Sequence, residues 1–334
     1  MQIFSDYFND WLYGDDGYYS NYKTIGKDGD FFTAVSASKL FGGSIAKRII
    51  DTIESGFIDK NTTILEIGAH HGYLMADIIQ FIYTLKPELL KTLTFAICER
   101  YENLRDKQKQ YLNESFGDAI NFIHYSSLKD INLDNAIVVA NEIFDAFPCE
   151  LVYTKDDVLE QGFVENDKII FQPSTNQHLI DICKKHHISK GEVSLEFLDF
   201  AKSLSSSIKK FEFITFDYGD EYPRNDFSCR IYSKHKVYPI FEDDLPLSEL
   251  FKKSDITYDV NFAFLIDCFK QAGAKNIIYE TQLKALVRFG IIELLEILLN
   301  NTDEANYLRE ANRVKTLLEP TGMGDRFKVA IFRK

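Results

Sequence analysis

This sequence has no Cys-x-x-Cys pair, no apolar run of membrane-spanning length and too few basic residues to balance its acids. Each shortage removes a class of protein. The five cysteines (Cys98, Cys149, Cys183, Cys229 and Cys268) are scattered and odd in number, which argues for reduced thiols and a cytoplasmic protein. The most apolar late segment, residues 289–296, is interrupted by Glu293 and Glu296, so no membrane span is expected. The first six residues hold neither a basic nor an apolar stretch, and no signal peptide is expected. Lys and Arg number 38 against 51 Asp and Glu, a net charge of −13. That disfavours a general nucleic-acid binder, because neutralising phosphates needs a basic surface. It suits an Arg/Lys-rich protein segment instead. His178, Cys183, His186 and His187 lie close together, but their spacing does not put them on one helix face, so no metal is expected.

What is present is a globular chain. Hydrophobic residues make up 45% and aromatics 14% of 334 residues, enough for one large or two ordinary domains with a full core. The organising stretch is residues 61–77. Ile64, Leu65 and Ile67 form a short apolar run of the kind a buried parallel strand needs, Gly68 and Gly72 punctuate a turn, and helical spacing resumes at Leu74. A strand, a glycine turn and a helix make the first βα unit of a doubly wound sheet, where backbone can approach a nucleotide-like ligand. The dinucleotide pattern Gly-x-Gly-x-x-Gly is missing, since positions 70 and 73 are His70 and Tyr73.

Four more buried-type strands follow. Residues 93–98 end in Glu99, placed to accept hydrogen bonds from ribose hydroxyls. Residues 120–124 lead to Ser127 and Leu128, where an adenine edge would meet backbone. The wholly apolar residues 136–140 run into Asn141, Glu142 and Asp145, and residues 213–217 make the fifth strand. Burying such polar groups beside so apolar a strand is costly unless they are hydrogen-bonded, which favours a working role. Short antiparallel strands at 151–153, 159–164 and 168–171 read as an insertion on the edge of the main sheet, and residues 220–262 as a second insertion. Helices are expected at 7–13, 36–53, 74–85, 104–111, 195–208, 262–271 and 282–298, with closing strands near 276–279 and 327–332.

The segment Glu66-x-Gly68-x-x-x-Gly72 looks like the first motif of class I S-adenosylmethionine (SAM) methyltransferases. The likeness extends to Gly17-Tyr18-Tyr19, Gly29-Asp30-Phe31-Phe32-Thr33, Asn141-Glu142-Ile143-Phe144-Asp145-Ala146-Phe147-Pro148, Asp217-Tyr218-Gly219 and Gly322-Met323-Gly324-Asp325-Arg326-Phe327-Lys328-Val329. In this order the strings resemble the MidA-type SAM-dependent methyltransferases, which include a mitochondrial complex I assembly factor that methylates an arginine. The resemblance departs at His70, which replaces the family's middle glycine, and at Asp259 and Asn261, where the family more often has His and Asp.

The resemblance implies an α/β class I SAM methyltransferase fold, Rossmann-like, with a mostly parallel seven-stranded sheet and an antiparallel edge. The expected segments are an N-terminal helical lid (1–60), a SAM-binding half (61–149), a β-rich insertion (150–192), a return to the sheet (193–219), a substrate-side insertion (220–262) and closing helices and strands (263–334). It implies SAM held by Thr33, Glu66, Gly68, His70, Gly72, Glu99, Ser127, Leu128 and Asn141. Glu142 and Asp145, three apart on a helical turn, are the expected catalytic carboxylates that fix a substrate guanidinium. The implied partner is a protein substrate, with a respiratory-complex subunit as the candidate. Two other readings remain: a non-catalytic assembly chaperone on the same fold, and a small-molecule methyltransferase with an enclosed pocket under residues 220–262.

Overall fold

The computed structural model describes residues 1–20, 33–120, 122–234, 236–243 and 245–334. The Gly29–Phe32 part of the N-terminal motif lies outside them, as do Asn121 and His235. Two compact units share the chain. One is made of residues 32–141, 203–217 and 273–334, the other of residues 1–31, 142–202 and 218–272.

The first unit carries the main sheet. Its strands are β1 (Thr63–Ile67), β2 (Thr94–Cys98), β3 (Phe122–Tyr125), β4 (Leu133–Asn141), β5 (Ile208–Asp220), β6 (Lys275–Thr281) and β7 (Phe327–Arg333). They lie in the order β6-β7-β5-β4-β1-β2-β3. The pairs β1–β2, β1–β4, β2–β3 and β4–β5 are parallel, and β6–β7 is antiparallel. The mostly parallel sheet with an antiparallel edge is therefore present. Ala136, Ile137, Val138, Val139 and Ala140 of β4 are fully buried. An all-apolar strand fits a position covered on both faces, with Ile137, Val138 and Val139 each contributing about 1.5–3 kcal/mol by leaving water.

Two helices matter most for the site. Helix α1 (Lys39–Glu54) starts at Ser38, whose hydroxyl accepts the Leu40 amide, and buries Leu40, Phe41, Ile45 and Ile49. Helix α2 (Tyr73–Leu85) starts at Gly72 and buries Leu74, Met75, Ile78, Ile79 and Ile82. They touch where α1 has no side chain: a Cβ on Gly42 would stand 2.6 Å from the Cβ of Asp77. A third helix, α3 (Glu102–Phe116), follows β2.

The last third of the chain differs from its sequence reading. The helix expected over 282–298 is two helices, Gln282–Arg288 and Ile291–Asn301, broken by Gly290 at φ +82°. A further helix at Glu304–Leu318 went unread; Asp303 caps it by accepting the Asn306 amide. Glu212 of β5, fully buried, binds Arg48 of α1 through two hydrogen bonds (2.8 and 2.9 Å) and Arg333 of β7 at 2.7 Å.

The second unit is built of small antiparallel sheets. Gln2–Ile3, Val158–Glu165, Glu150–Lys155 and Lys190–Val193 pair in that order, with Lys168–Pro173 on Val158–Glu165. The short antiparallel strands expected over 150–173 as an insertion form a sheet of their own. Alternating, half-exposed side chains there suit a sheet with one wet face, unlike the doubly covered parallel strands. Lys236–Pro239, Arg230–Ser233 and Asp255–Thr257 make a three-stranded sheet. The helix Phe4–Tyr13 is anchored by Trp11, fully buried, whose indole N–H donates to the Ser254 carbonyl at 2.6 Å.

Candidate functional site

In the first unit the parallel register brings the strand ends to one level. Ile67 pairs with both Cys98 and Ala140, and Cys98 pairs with Tyr125, so Gly68, Glu99, Ser126 and Asn141 leave the sheet side by side. The Gly68 amide donates to the Cys98 carbonyl and the Glu99 amide to the Tyr125 carbonyl. The carboxyl edge of an open parallel sheet is where such folds bind ligands.

The turn after β1 has three left-handed residues: Gly68 (φ +72°), His70 (φ +45°) and Gly72 (φ +79°). His70 thus adopts the backbone of a glycine, at a cost of about 1 kcal/mol or more for a residue with a Cβ. Its ring packs at 4.0 Å, edge to face, on His71, and His71 stacks on Tyr73 at 5.0 Å. The turn is also held from α3, where the Gln108 amide donates to the His70 carbonyl at 2.9 Å.

The acids at this edge are buried. Glu66 is 4% exposed; it accepts the Met75 amide, and its Oε2 has no hydrogen-bond partner among the described residues. Burial pushes its pKa to about 8, and the charges of Asp77 and Glu99 push the same way. Burial also raises Asp77 to about 7. Glu99 is raised by burial, opposed by the Tyr101 amide, which its Oε1 accepts at 3.1 Å, by the Arg100 and Arg105 charges and by a Gln108 hydrogen bond. A buried, half-satisfied Glu66 beside a tight turn, with a second acid on the next strand, fits a ligand carrying a cationic amino-acid end and a ribose.

Other expected contacts are engaged locally. Thr33 caps the helix Ala34–Ala37 in a reciprocal pair with Ser36. Ser127 accepts the Lys129 amide at 3.2 Å, and the Leu128 carbonyl accepts the Ser207 hydroxyl at 2.7 Å. Gln108 and Asp77 were not singled out from the sequence. The available signal was a polar residue on an apolar stripe: Gln108 lies between Leu104 and Leu112 at four-residue spacing, and all three are buried.

In the second unit Glu142 and Asp145 are not on one face of a helical turn, which corrects the sequence expectation. Glu142 is a half-buried bend residue at φ +52°, and only Phe144–Ala146 make a single 3₁₀ turn. Pro148 and the left-handed Glu142 leave no room for a longer helix. The turn is pinned by Phe144, which packs on Phe147, Phe197 and Phe200 at 5.3 Å each. The Tyr13 hydroxyl donates to the Ala146 carbonyl and the Tyr258 amide to the Asp145 carbonyl.

Asp145 is 5% exposed and accepts a hydrogen bond from the Tyr218 hydroxyl. Burial lifts its pKa to about 6, with the Tyr218 bond and the Arg230 charge pulling it down. The Arg230 guanidinium lies 4.6 Å from the Tyr218 ring centroid and donates to Asp259 at 2.6 Å. Asp259 also takes Arg224 at 2.7 Å. Asn261, the other departure from the family pattern, caps the helix Phe262–Gln271. A cavity lined by Glu192, Asp220, Arg224, Asp259 and Asn261 measures about 30 Å³. That is room for about two waters and not for an organic substrate.

Similarity to known proteins agrees with the first unit's architecture. Residues 44–280 match the model of a family of S-adenosyl-L-methionine-dependent methyltransferases. A mitochondrial protein arginine methyltransferase NDUFAF7 homolog of Caenorhabditis elegans is 24% identical over 85% of this chain and 71% of its own length. The NDUFAF7 protein arginine methyltransferase of Rattus norvegicus is 22% identical over 93% of this chain and 76% of its own length. A Burkholderia thailandensis protein solved with S-adenosyl-homocysteine bound shares the fold with a TM-score of 0.85 at 22% identity, covering 99% of this chain and 87% of that one.

One expectation is overturned. The relatives are named as mitochondrial, against the cytoplasmic assignment drawn from the cysteines. All five thiols are free and buried, which reports the lack of disulfides and nothing finer about compartment. Among the described residues no helix is long and apolar enough to cross a membrane. The residues 44–280 that carry the glycine turn and strand-end acids place the chain in the family of S-adenosyl-L-methionine-dependent methyltransferases, with S-adenosyl-L-methionine as its cofactor.

Proposed function

We propose that this methyltransferase acts on an arginine side chain of a protein, with Glu142 and Asp145 as the carboxylates that receive the guanidinium. The observation that carries the reading is Asp145: a carboxyl group 5% exposed, fixed by Tyr218, four residues after β4 ends at Asn141. The relatives named as protein arginine methyltransferases support it, as does a net charge of −13, which favours a basic partner segment. A respiratory-complex subunit is the candidate substrate supplied by the family resemblance.

The cofactor supplies an electrophilic methyl group on a sulfonium. On this reading Glu66, Gly68, His70, Gly72, Glu99 and Asn141 hold it, with Thr33 and the Ser127–Leu128 backbone at the margin. The acceptor's difficulty is charge: a guanidinium has a pKa above ~12 and its nitrogens are poor nucleophiles while the cation is symmetric. Two carboxylates that hydrogen-bond it draw the positive charge away from the nitrogen to be methylated, and one of them takes up the proton that nitrogen loses as its N–H bond gives way to N–CH₃. Burial of Asp145 strengthens that pairing by excluding water.

The test is methyl transfer from radiolabelled cofactor to the protein fraction of cells lacking this enzyme. Glu142→Gln and Asp145→Asn should each lower transfer by about 10²-fold or more, while S-adenosylhomocysteine still binds by calorimetry. Unchanged transfer in both variants would rule the reading out.

A further inference from the structure

We propose that Tyr218 and Arg230 are positioning residues that keep Asp145 an anion, so that it can pair with the substrate guanidinium; this rests on the role given to Asp145 above. The three groups form a directed chain. The Arg230 guanidinium sits over the face of Tyr218, at 4.6 Å from its centroid. A cation over a phenol face draws electron density from the ring and makes the hydroxyl a better donor. That hydroxyl donates to Asp145 Oδ2. A stronger donor stabilises the carboxylate relative to the carboxylic acid.

The charges around the chain make Arg230 the one that counts. Arg230 donates from Nη1 to Asp259 and the Ser228 carbonyl, and from Nε to the Tyr232 hydroxyl. Its Nη2 is buried and makes no hydrogen bond among the described residues. Asp259 is shared with Arg224, so one carboxylate faces two guanidinium groups. Asp259 raises Asp145 toward its acid form and Arg230 opposes it, so the guanidinium beside Tyr218 is the charge that favours the anion. The other groups facing this cluster are Glu192, which feels the charge of Asp259, and Asp255, Tyr13 and Tyr18, which share the field of Tyr19 with Asp145. The acids among them raise the demand for Arg230, since each makes a further anion at Asp145 harder to hold.

A plain structural role for the pair would leave the pH dependence of transfer alone. The experiment therefore follows methyl transfer to the same hypomethylated protein fraction across pH, with S-adenosylhomocysteine binding as the check on folding. The native enzyme should lose activity on the acid side with a midpoint near the Asp145 value of about 6. Tyr218→Phe should move that midpoint up by about one pH unit or more and recover activity as pH rises. Arg230→Gln should move it the same way, and Arg230→Lys should restore much of the native profile. If Asp145→Asn lowers transfer but Tyr218→Phe leaves the midpoint in place, the positioning role is overturned while the role of Asp145 stands. If Asp145→Asn transfers methyl at the native rate, the role of Asp145 fails and this inference with it. Should Arg230→Gln fail to fold, the Tyr218→Phe profile decides alone.

Discussion

Glu66 is a carboxyl group that the fold keeps protonated near neutrality. Its folded pKa, about 8, lies above its ordinary value because burial disfavours the anion. The sign of the linkage follows directly. The folded chain binds this proton more tightly than the unfolded chain, so the stabilisation is fully present below the ordinary carboxylate range and is lost as pH rises toward 8. The melting temperature of the cofactor-free protein should fall between about pH 5 and pH 8, and Glu66→Gln should flatten that slope. A slope unchanged in the variant would remove Glu66 as its source. Glu66, Glu99, Glu142 and Asp145 were all legible as candidates, because an acid beside a run such as Ile64-Leu65 or Ala136–Ala140 is costly without a purpose. Asp77 and Gln108 were not, because inside amphipathic helices a polar residue is ordinary until its face is known. The conformations of His70 and Glu142 were also invisible, since left-handed backbone at a non-glycine residue is imposed by surroundings rather than by local preference.

At the scale of elements, α1 and α2 meet through a missing side chain. A Cβ on Gly42 would stand 2.6 Å from the Cβ of Asp77, and a Cβ, held directly on its own backbone, cannot yield as a flexible side-chain tip can. Gly42→Val should therefore destabilise the protein by about 1–3 kcal/mol in urea unfolding. It should also weaken cofactor binding, because α2 begins at Gly72 of the ligand turn. Native stability in that variant would mean the helices part easily. The strands of the parallel sheet were readable from their apolar runs, and in the structure Ser38 and Asn261 cap the helices that begin at Lys39 and Phe262. The strands at 150–173 alternate as the sequence says, and alternation by itself does not fix which strands pair with which. The break at Gly290 was readable in principle, since glycine in a left-handed position ends a helix.

Across the molecule, the resemblance in motif order anticipated the sheet and the cofactor, while compartment lay beyond the reach of cysteine counting. The order of strands depends on residues far apart in sequence, and Glu212 is where three of them converge. Buried completely, it binds Arg48 of α1 and Arg333 of β7. Glu212→Ala leaves two partly buried guanidinium groups unmatched and should cost about 3–5 kcal/mol in chemical unfolding. A cost under about 1 kcal/mol would show that solvent screens the arginines well enough for the clasp to be dispensable.

The sheet order has a consequence for how the chain is made. Strand β7 is drawn from residues 327–333, yet it lies between β5 and β6. During synthesis β5 emerges more than a hundred residues before the strand that will flank it, and β6 has no neighbour at all until then. Both wait on the ribosome with bare hydrogen-bonding edges, the state in which nascent chains are most exposed to mispairing and most in need of a chaperone.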